Sequence, residues 1–470
     1  MPQGFVARFL LRTDVLTTLL AGGARVVALV PNADEPYLRE ELGARDVHVE
    51  QLHADVAMTQ RSRLWSLLYH LRTFTLGDAA RARTLHDKHA SFQTRIAGDQ
   101  HPAVRLVLRL ALKALWRSRT LRRAAVWLEA RRFTVHPHRE LFARYRPDLV
   151  VTASAGWFHE DAVLLREAQA HGVATACVVL SWDNPTSKGY RAATPDLTIA
   201  WSQTMADQLV RFQELPRDRV VVGGVPHFDA YRRPGALLGW EELCARLQLD
   251  RERRLILFCA SSPGTAVDDV QVAATLAAAI GRDELGPRAQ LVVRPHPIAF
   301  RGDRHAPVED WRGLEREHEH VRLNLPDVRS DVLRCDMSGE DGLLLGSLVA
   351  HAGVVVNVFS TTTLEAFLAG TPVVLVDPAI GGGVHRPFAQ FTHVRSIVDR
   401  GAARVAGSAA LLLEHVRAYL EDPALDAQAR DAVAALECGP ADGHAGARVG
   451  ELLLELAGTA TPARARVATT

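Results

Sequence analysis

A chain of 470 residues with 48% hydrophobic and 23% charged side chains is too long for one ordinary core and has the composition of a folded protein with two or more domains. Lys and Arg number 55 against 54 Asp and Glu, a net charge of +1, so no overall field recruits nucleic acid. The five cysteines (Cys177, Cys244, Cys259, Cys335, Cys438) are scattered and form no CxxC pair, which argues against a disulfide frame or zinc site and for a reducing compartment. With neither a secretory pattern nor an apolar run of membrane-spanning length, a cytoplasmic protein is expected.

The opening GFVARFLLRTDVLTTLLAGGARVVALVP holds a helix-like segment ending at Gly22-Gly23 and then a strand over 25–30. A doubly wound domain normally begins with a strand before its first helix. Phe5 to Leu11 is either that strand or the strand is absent; absence is the preferred reading, and it makes the start of the sequence suspect. A helix over 34–42 and a short strand over 48–52 follow. From 60 to about 133 apolar residues recur every three or four positions, a helical insertion. Within it, 103–133 is strongly basic: Arg105, Arg109, Lys113, Arg117, Arg119, Arg122, Arg123, Arg131 and Arg132 face one acid, Glu129. Such a helix is a candidate for peripheral contact with the inner face of an anionic membrane or for an acidic substrate; a solvated face on a core helix is the alternative, weighed slightly ahead.

Strands over 148–154, 174–180, 196–201 and 220–222 then alternate with helices over 160–171 and 202–211, the pattern of βαβ units in a parallel sheet. After GGVPHFDAYRRPG the composition turns polar and helical, which places a domain boundary at 234/235. The second half repeats the alternation, with strands over 255–259, 290–293, 354–358 and 373–376 and helices over 270–280, 343–350, 364–369, 408–420 and 446–456. The Ala/Thr/Pro/Arg-rich tail from 459 is expected to be disordered.

Ligands of open parallel sheets sit beyond the carboxyl ends of the strands, and the polar clusters of interest fall there. In GVVVNVFSTTTLEAFLAGTPVVLVDP, Ser360, Thr361 and Thr362 stand where a helix starts, offering cap hydroxyls and free first-turn amides to an anion. Glu365 suits the same dipole and can accept from sugar hydroxyls; a plain βαβ turn with a good cap is the bland alternative. Ser261 and Ser262 follow one strand, Arg294 and His296 another, which would complete a site for a nucleotide diphosphate. His296 lies between two prolines that impose an extended turn, so it does not read as a core histidine, whereas Arg294 reads equally well as an ion-pair partner. In the first half SWDNPTSKG packs Asp183, Asn184, Ser187 and Lys188 after an apolar strand, which favours acceptor binding or catalysis. His159, Glu160 and Asp183 are the candidate general bases, unranked. His136-Pro137-His138 and Glu317-His318-Glu319-His320 lack a third ligand at a supporting spacing, so they are read as solvated surface and no metal is expected. A Walker pattern is missing, which counts against phosphoryl transfer from ATP.

Taken together, VVRPHP (292–297), NVFSTTTLEAFLAGTPVV (357–374), VGGVPHFD (222–229) and ADGHAGARV (441–449) resemble the GT-B glycosyltransferase superfamily over roughly 148–456. The flavour is that of the CDP-glycerol glycerophosphotransferase-like and capsular-polysaccharide transferases, with UDP-GlcNAc 2-epimerase as a structural cousin. The resemblance implies an α/β fold of two Rossmann-like parallel-sheet domains, 1–234 and 235–458, facing across a cleft. It also implies donor phosphates on Ser360, Thr361 and Thr362, ribose on Glu365, and a phosphate or leaving-group role for His296. The expected function is transfer of a glycosyl or polyol-phosphate group from a nucleotide-activated donor to a surface-glycan or lipid-linked acceptor, with no cofactor. A nucleotide-sugar 2-epimerase and a non-catalytic nucleotide- or carbohydrate-binding partner are the alternatives.

Overall fold

The chain is described by a computed structural model over residues 3–53, 63–95, 102–262, 268–300, 308–330, 332–333, 335–378, 380 and 388–467. In the first half lie strands β1 (Val26–Val30), β2 (Val47–Gln51), β3 (Leu149–Thr152), β4 (Ala174–Val178), β5 (Leu197–Ala200) and β6 (Val220–Val222). Helices that position the site or its surroundings are α1 (Asp14–Ala21), α2 (Arg63–Thr73), α3 (Pro102–Arg117), α4 (Arg119–Phe133), α5 (His159–Ala170), α6 (Asp269–Gly281), α7 (Thr362–Leu368) and α8 (Ala445–Val467). The second half holds β7 (Arg254–Cys259), β8 (Ala289–Arg294), β9 (Val321–Leu323), β10 (Val354–Asn357), β11 (Val373–Val376) and β12 (Arg404–Ala406).

All pairings between these strands are parallel. In the second half the order across the sheet is β9-β8-β7-β10-β11-β12, the 3-2-1-4-5-6 order of a doubly wound sheet. Strands β8, β10 and β11 are buried along their whole length because helices cover both faces, which is why they read as unbroken Val/Leu runs. The first half is divided into a two-stranded sheet, β1-β2, and a four-stranded sheet, β3-β4-β5-β6. Residues before α1 are helical (Gly4–Val6, then a π-type turn over Ala7–Leu11), so among the described residues nothing precedes β1 as a strand.

Two features depart from the division read along the sequence. Helix α8 leaves the second half and lies on the first: its Val449 and Leu453 pack with Val15 of α1, Ala176 and Val178 of β4, and Ile199 of β5. That face of the four-stranded sheet is apolar and α8 supplies the cover, so residues 445 onward belong in space to the half that begins the chain. The helix also continues to Val467, so the backbone of the tail expected to be disordered is helical up to that residue.

A buried ion network anchors the helical insertion. Glu129 of α4 accepts from Arg72 of α2 at 3.0 Å and pairs with Arg166 of α5 at 2.9 Å, while Arg72 also donates to the carbonyls of Gly156 and Tyr190. The single acid of the basic segment therefore faces inward, not towards solvent. A second network clamps the two halves. The Arg12 guanidinium makes a fork to Glu41 with both contacts at 2.7 Å, donates to Tyr37 Oη at 2.7 Å, and reaches across to Asp336 Oδ1 at 2.7 Å and the Met337 carbonyl at 2.8 Å.

Candidate functional site

Between the halves lies a cavity of about 310 Å³, within the range of small-molecule sites. Its floor is the crevice between β7 and β10, where the strand order reverses, the place at which a doubly wound sheet binds its ligand. Cys259 and Ala260 enter from β7, Arg294 to Pro297 from β8, and Ser360, Thr361, Thr362 and Glu365 from the β10–α7 turn. Opposite them stand Ser181, Asp183, Asn184 and Lys188 from the loop after β4, with His227 from the crossover after β6 and Arg8 from the first helical turns. Two parallel-sheet α/β halves thus face each other across the cavity.

The β10–α7 turn is built by Asn357. Its Oδ1 accepts from the Ser360 amide at 3.2 Å and its Nδ2 donates to Thr363 Oγ1 at 3.1 Å, with Phe359 between them in the left-handed region at φ 51°. The Thr362 amide donates to Ser360 Oγ at 3.3 Å and the Thr363 amide to the Ser360 carbonyl at 3.0 Å. The amides of Ser360, Thr362 and Thr363, which the sequence suggests are free for an anion, are thus spent inside the turn, and the hydroxyl residues Ser360, Thr361 and Thr362 line the cavity. Glu365 is buried and accepts from Tyr231 Oη at 2.7 Å, with Arg8 Nη2 3.4 Å away. Burial, then the Glu365 charge, pushes the Tyr231 phenol well above its ordinary value, so Tyr231 stays a donor that fixes the carboxylate.

His296 lines the cavity and its Nδ1 accepts from the Ile298 amide at 3.2 Å. The neutral ring accordingly carries its proton on Nε2. Burial, reinforced by the neighbouring Arg294 charge, lowers the imidazole to about 4, which makes His296 a neutral N–H donor at pH 7. Arg294 itself is buried against Asp341 and donates to Asn324 Oδ1 at 2.6 Å, so the ion-pair reading describes it, although it forms part of the cavity wall.

Asp183 accepts from Ser181 Oγ at 2.6 Å and from Ser187 Oγ, with Lys188 Nζ at 3.8 Å. Burial alone would raise its carboxyl, but Lys188, His393 and the two hydroxyls outweigh it and hold Asp183 well below the usual carboxylate range. Asn184 is buried, and its Nδ2 has no hydrogen-bond partner among the described residues; the same is true of His227 Nδ1. Burial, then the Arg8 charge, keeps His227 neutral far below its ordinary range.

Five expected site residues lie elsewhere. Ser261 is drawn to Asp269 at the start of α6, its amide at 3.1 Å and its hydroxyl at 2.7 Å, and neither it nor Ser262 lines the cavity. Ser187 is turned onto Asp183. His159 sets its ring edge-on to Trp65 of α2 at 5.1 Å, and neither it nor Glu160 reaches the cavity. Arg8, His227 and Tyr231 went unnoticed in the sequence; the one local signal was the PHFD run that carries His227 at the crossover.

The histidine clusters also sort differently. Glu317 to His320 is solvated as expected, but His138 is buried, donating from Nδ1 to Glu167 at 2.8 Å while its Nε2 accepts from the His53 amide at 3.0 Å. His136 has Glu167 and His171 beside it, with ligand atoms within 4.8 Å of one another, so a third group does stand near it. The Glu167 carboxylate in that trio is already taken by the amide and ring of His138.

A pH dependence of stability follows from the buried imidazoles. His296 and His393 titrate at about 4 when folded against roughly 6.5 in an unfolded chain, so the unfolded state binds more protons between those values. Stability is therefore fully present above pH ~6.5 and is lost as pH falls towards ~4. Denaturant midpoints measured at descending pH should fall through this window; a flat profile would contradict the burial.

No family model and no curated protein matches this chain. Solved structures do. The wall teichoic acid polymerase TagF shares 11% identity with a TM-score of 0.39 over 56% of this chain and 58% of its own. MnaA of S. aureus, solved with UDP, shares 15% identity with a TM-score of 0.43 over 65% of this chain and 75% of its own. HepE of Anabaena, solved with UDP-glucose, shares 14% identity with a TM-score of 0.39 over 68% and 81%.

Proposed function

We propose that this protein transfers a glycosyl or polyol-phosphate group from a nucleotide-activated donor to a glycan or lipid-linked acceptor. The reading rests on one observation. At the switch-point cavity three hydroxyls and an imidazole N–H converge from one side, and the Arg8 guanidinium and a loop with an amide, a carboxylate and an ammonium face them from the other. The donor pyrophosphate lies against Ser360, Thr361 and Thr362, and Glu365, held by Tyr231, accepts from ribose hydroxyls. As the bond to the leaving nucleotide breaks, charge develops on an oxygen that faces His296 Nε2–H and Arg8, donors already in place and partly shielded from water. The acceptor lies on the Asn184 side, against the loop after β4 that carries Ser181, Asp183 and Lys188. Asp183, saturated by hydroxyls and firmly ionised, orients the acceptor, and neutral His227, whose lowered basicity likewise makes it a weak proton acceptor, serves as a further hydrogen-bonding group on the cavity wall. Five buried cysteines with no disulfide among the described residues suit a reducing, cytoplasmic setting.

Calorimetry with UDP-, CDP-, GDP- and CMP-linked donors tests the reading. One of them should bind, and Thr361→Val, which removes a hydroxyl at nearly constant shape, should weaken it about 5- to 10-fold without changing the melting temperature. Folded protein that binds none of the four sinks the proposal. Donor turnover without any acceptor would favour the epimerase, and binding without turnover the non-catalytic partner. Glu365→Ala is a poor probe, because it also strands a buried tyrosine hydroxyl and costs about 1–3 kcal/mol of stability.

A further inference from the structure

Ten large hydrophobic side chains are exposed among the described residues, and nine of them belong to α2, α3 and α4. Scattered exposed leucines are ordinary on a soluble surface; nine collected on one helical insertion are not. Helix α3 has two apolar faces. Leu112 and Leu115 face the core, while Leu106, Val107 and Leu110, 57–64% exposed, point the opposite way at 3.6 residues per turn. Between the faces runs a basic flank, Arg105, Arg109, Lys113 and Arg117, one residue every four. Helix α4 repeats the design: Leu121, Trp127 (62% exposed) and Leu128 look outward beside Arg123, Arg131 and Arg132, opposite the buried Arg122 and Glu129.

We propose that the outer face of α3 and α4 docks on an anionic phospholipid bilayer. Charge complementarity selects this occupant. The only acid of 103–133 is buried and paired, so the outward face is cationic, and two copies of it would repel. A nucleic acid would neutralise the cations but leave the leucine stripe in water. A lipid interface takes both, burying apolar side chains below the headgroups while Lys and Arg meet phosphates and a Trp sits at the boundary. The helices lie on the surface and do not cross it: among the described residues none is long and apolar enough to span. The proposal is independent of any nucleotide chemistry.

Co-sedimentation of the full chain with vesicles of phosphatidylcholine, with or without phosphatidylglycerol, tests it. Partition onto the anionic vesicles should exceed that onto neutral ones by about tenfold or more and fall as salt rises. Leu106→Ser with Leu110→Ser should cut partition about tenfold, and Arg109→Glu with Lys113→Glu should abolish the preference for anionic lipid, with melting temperatures unchanged because all four side chains are exposed. Wild-type protein that ignores anionic vesicles overturns the proposal. So does binding undiminished in the leucine variant, a stable dimer held through this face, or capture of an oligonucleotide in preference to vesicles.

Discussion

With His296 replaced by alanine, turnover of the nucleotide-linked donor is expected to fall about 10²- to 10³-fold, while the donor's apparent affinity changes far less. The Nε2–H is fixed by the Ile298 amide on the other ring nitrogen and is worth most when charge appears on the leaving group. His296→Gln keeps an N–H donor near the same point and should recover part of the loss, which a merely structural role would not predict. Because the ring titrates at about 4, wild-type turnover should show no rise between pH 8 and pH 5 from protonation of this residue. Steady-state kinetics over that range, once a donor is in hand, decides the matter; an alanine variant with unchanged turnover removes His296 from the chemistry.

Arg12→Ala is expected to be the most damaging single change to stability, at about 3–5 kcal/mol. The substitution removes a fork to Glu41, a bond to Tyr37 and the crossing pair to Asp336, leaving the last carboxylate buried without its cation. Burial already pushes the Asp336 carboxyl upward, so in the variant it takes a proton, and the deficit should narrow as pH falls. Arg12→Lys should restore little, because an ammonium cannot reproduce the planar fork. Urea denaturation at two pH values checks both statements, and a midpoint indistinguishable from wild type contradicts them.

Strands buried on both faces were legible because their environment leaves a continuous apolar record: Val373 to Val376 stands where its residues predict it. The hydroxyl turn and His296 could be found because they follow such strands directly. What stayed hidden depends on distance in the chain. Arg8 meets Glu365 across 357 positions, and no local spacing encodes that meeting. Ser261 resembles a ligand-binding serine until Asp269, eight residues on, takes both its amide and its hydroxyl. The return of α8 to the first half leaves the same amphipathic pattern as a helix that stays at home. The free amides expected at Thr362 and Thr363 vanish for the same reason that the turn is stable, since Ser360 satisfies them.

The return of α8 has a mechanical consequence. The chain crosses between the halves at Val225 to Arg233 and again at Gly443 to Gly446, and the crossings are stitched together: Asp229 accepts from the Ala445 and Gly446 amides at 2.9 and 2.8 Å, and Arg233 donates to the Gly443 carbonyl at 2.6 Å. Two straps joined side by side resist twisting and shear much more than bending. The halves are thereby left essentially one soft degree of freedom, rotation about the line of the paired crossings, like a door on two pins. Arg8 and Arg12 also reach the second half, so a swing that draws either away from its partner breaks a salt bridge to Glu365 or Asp336.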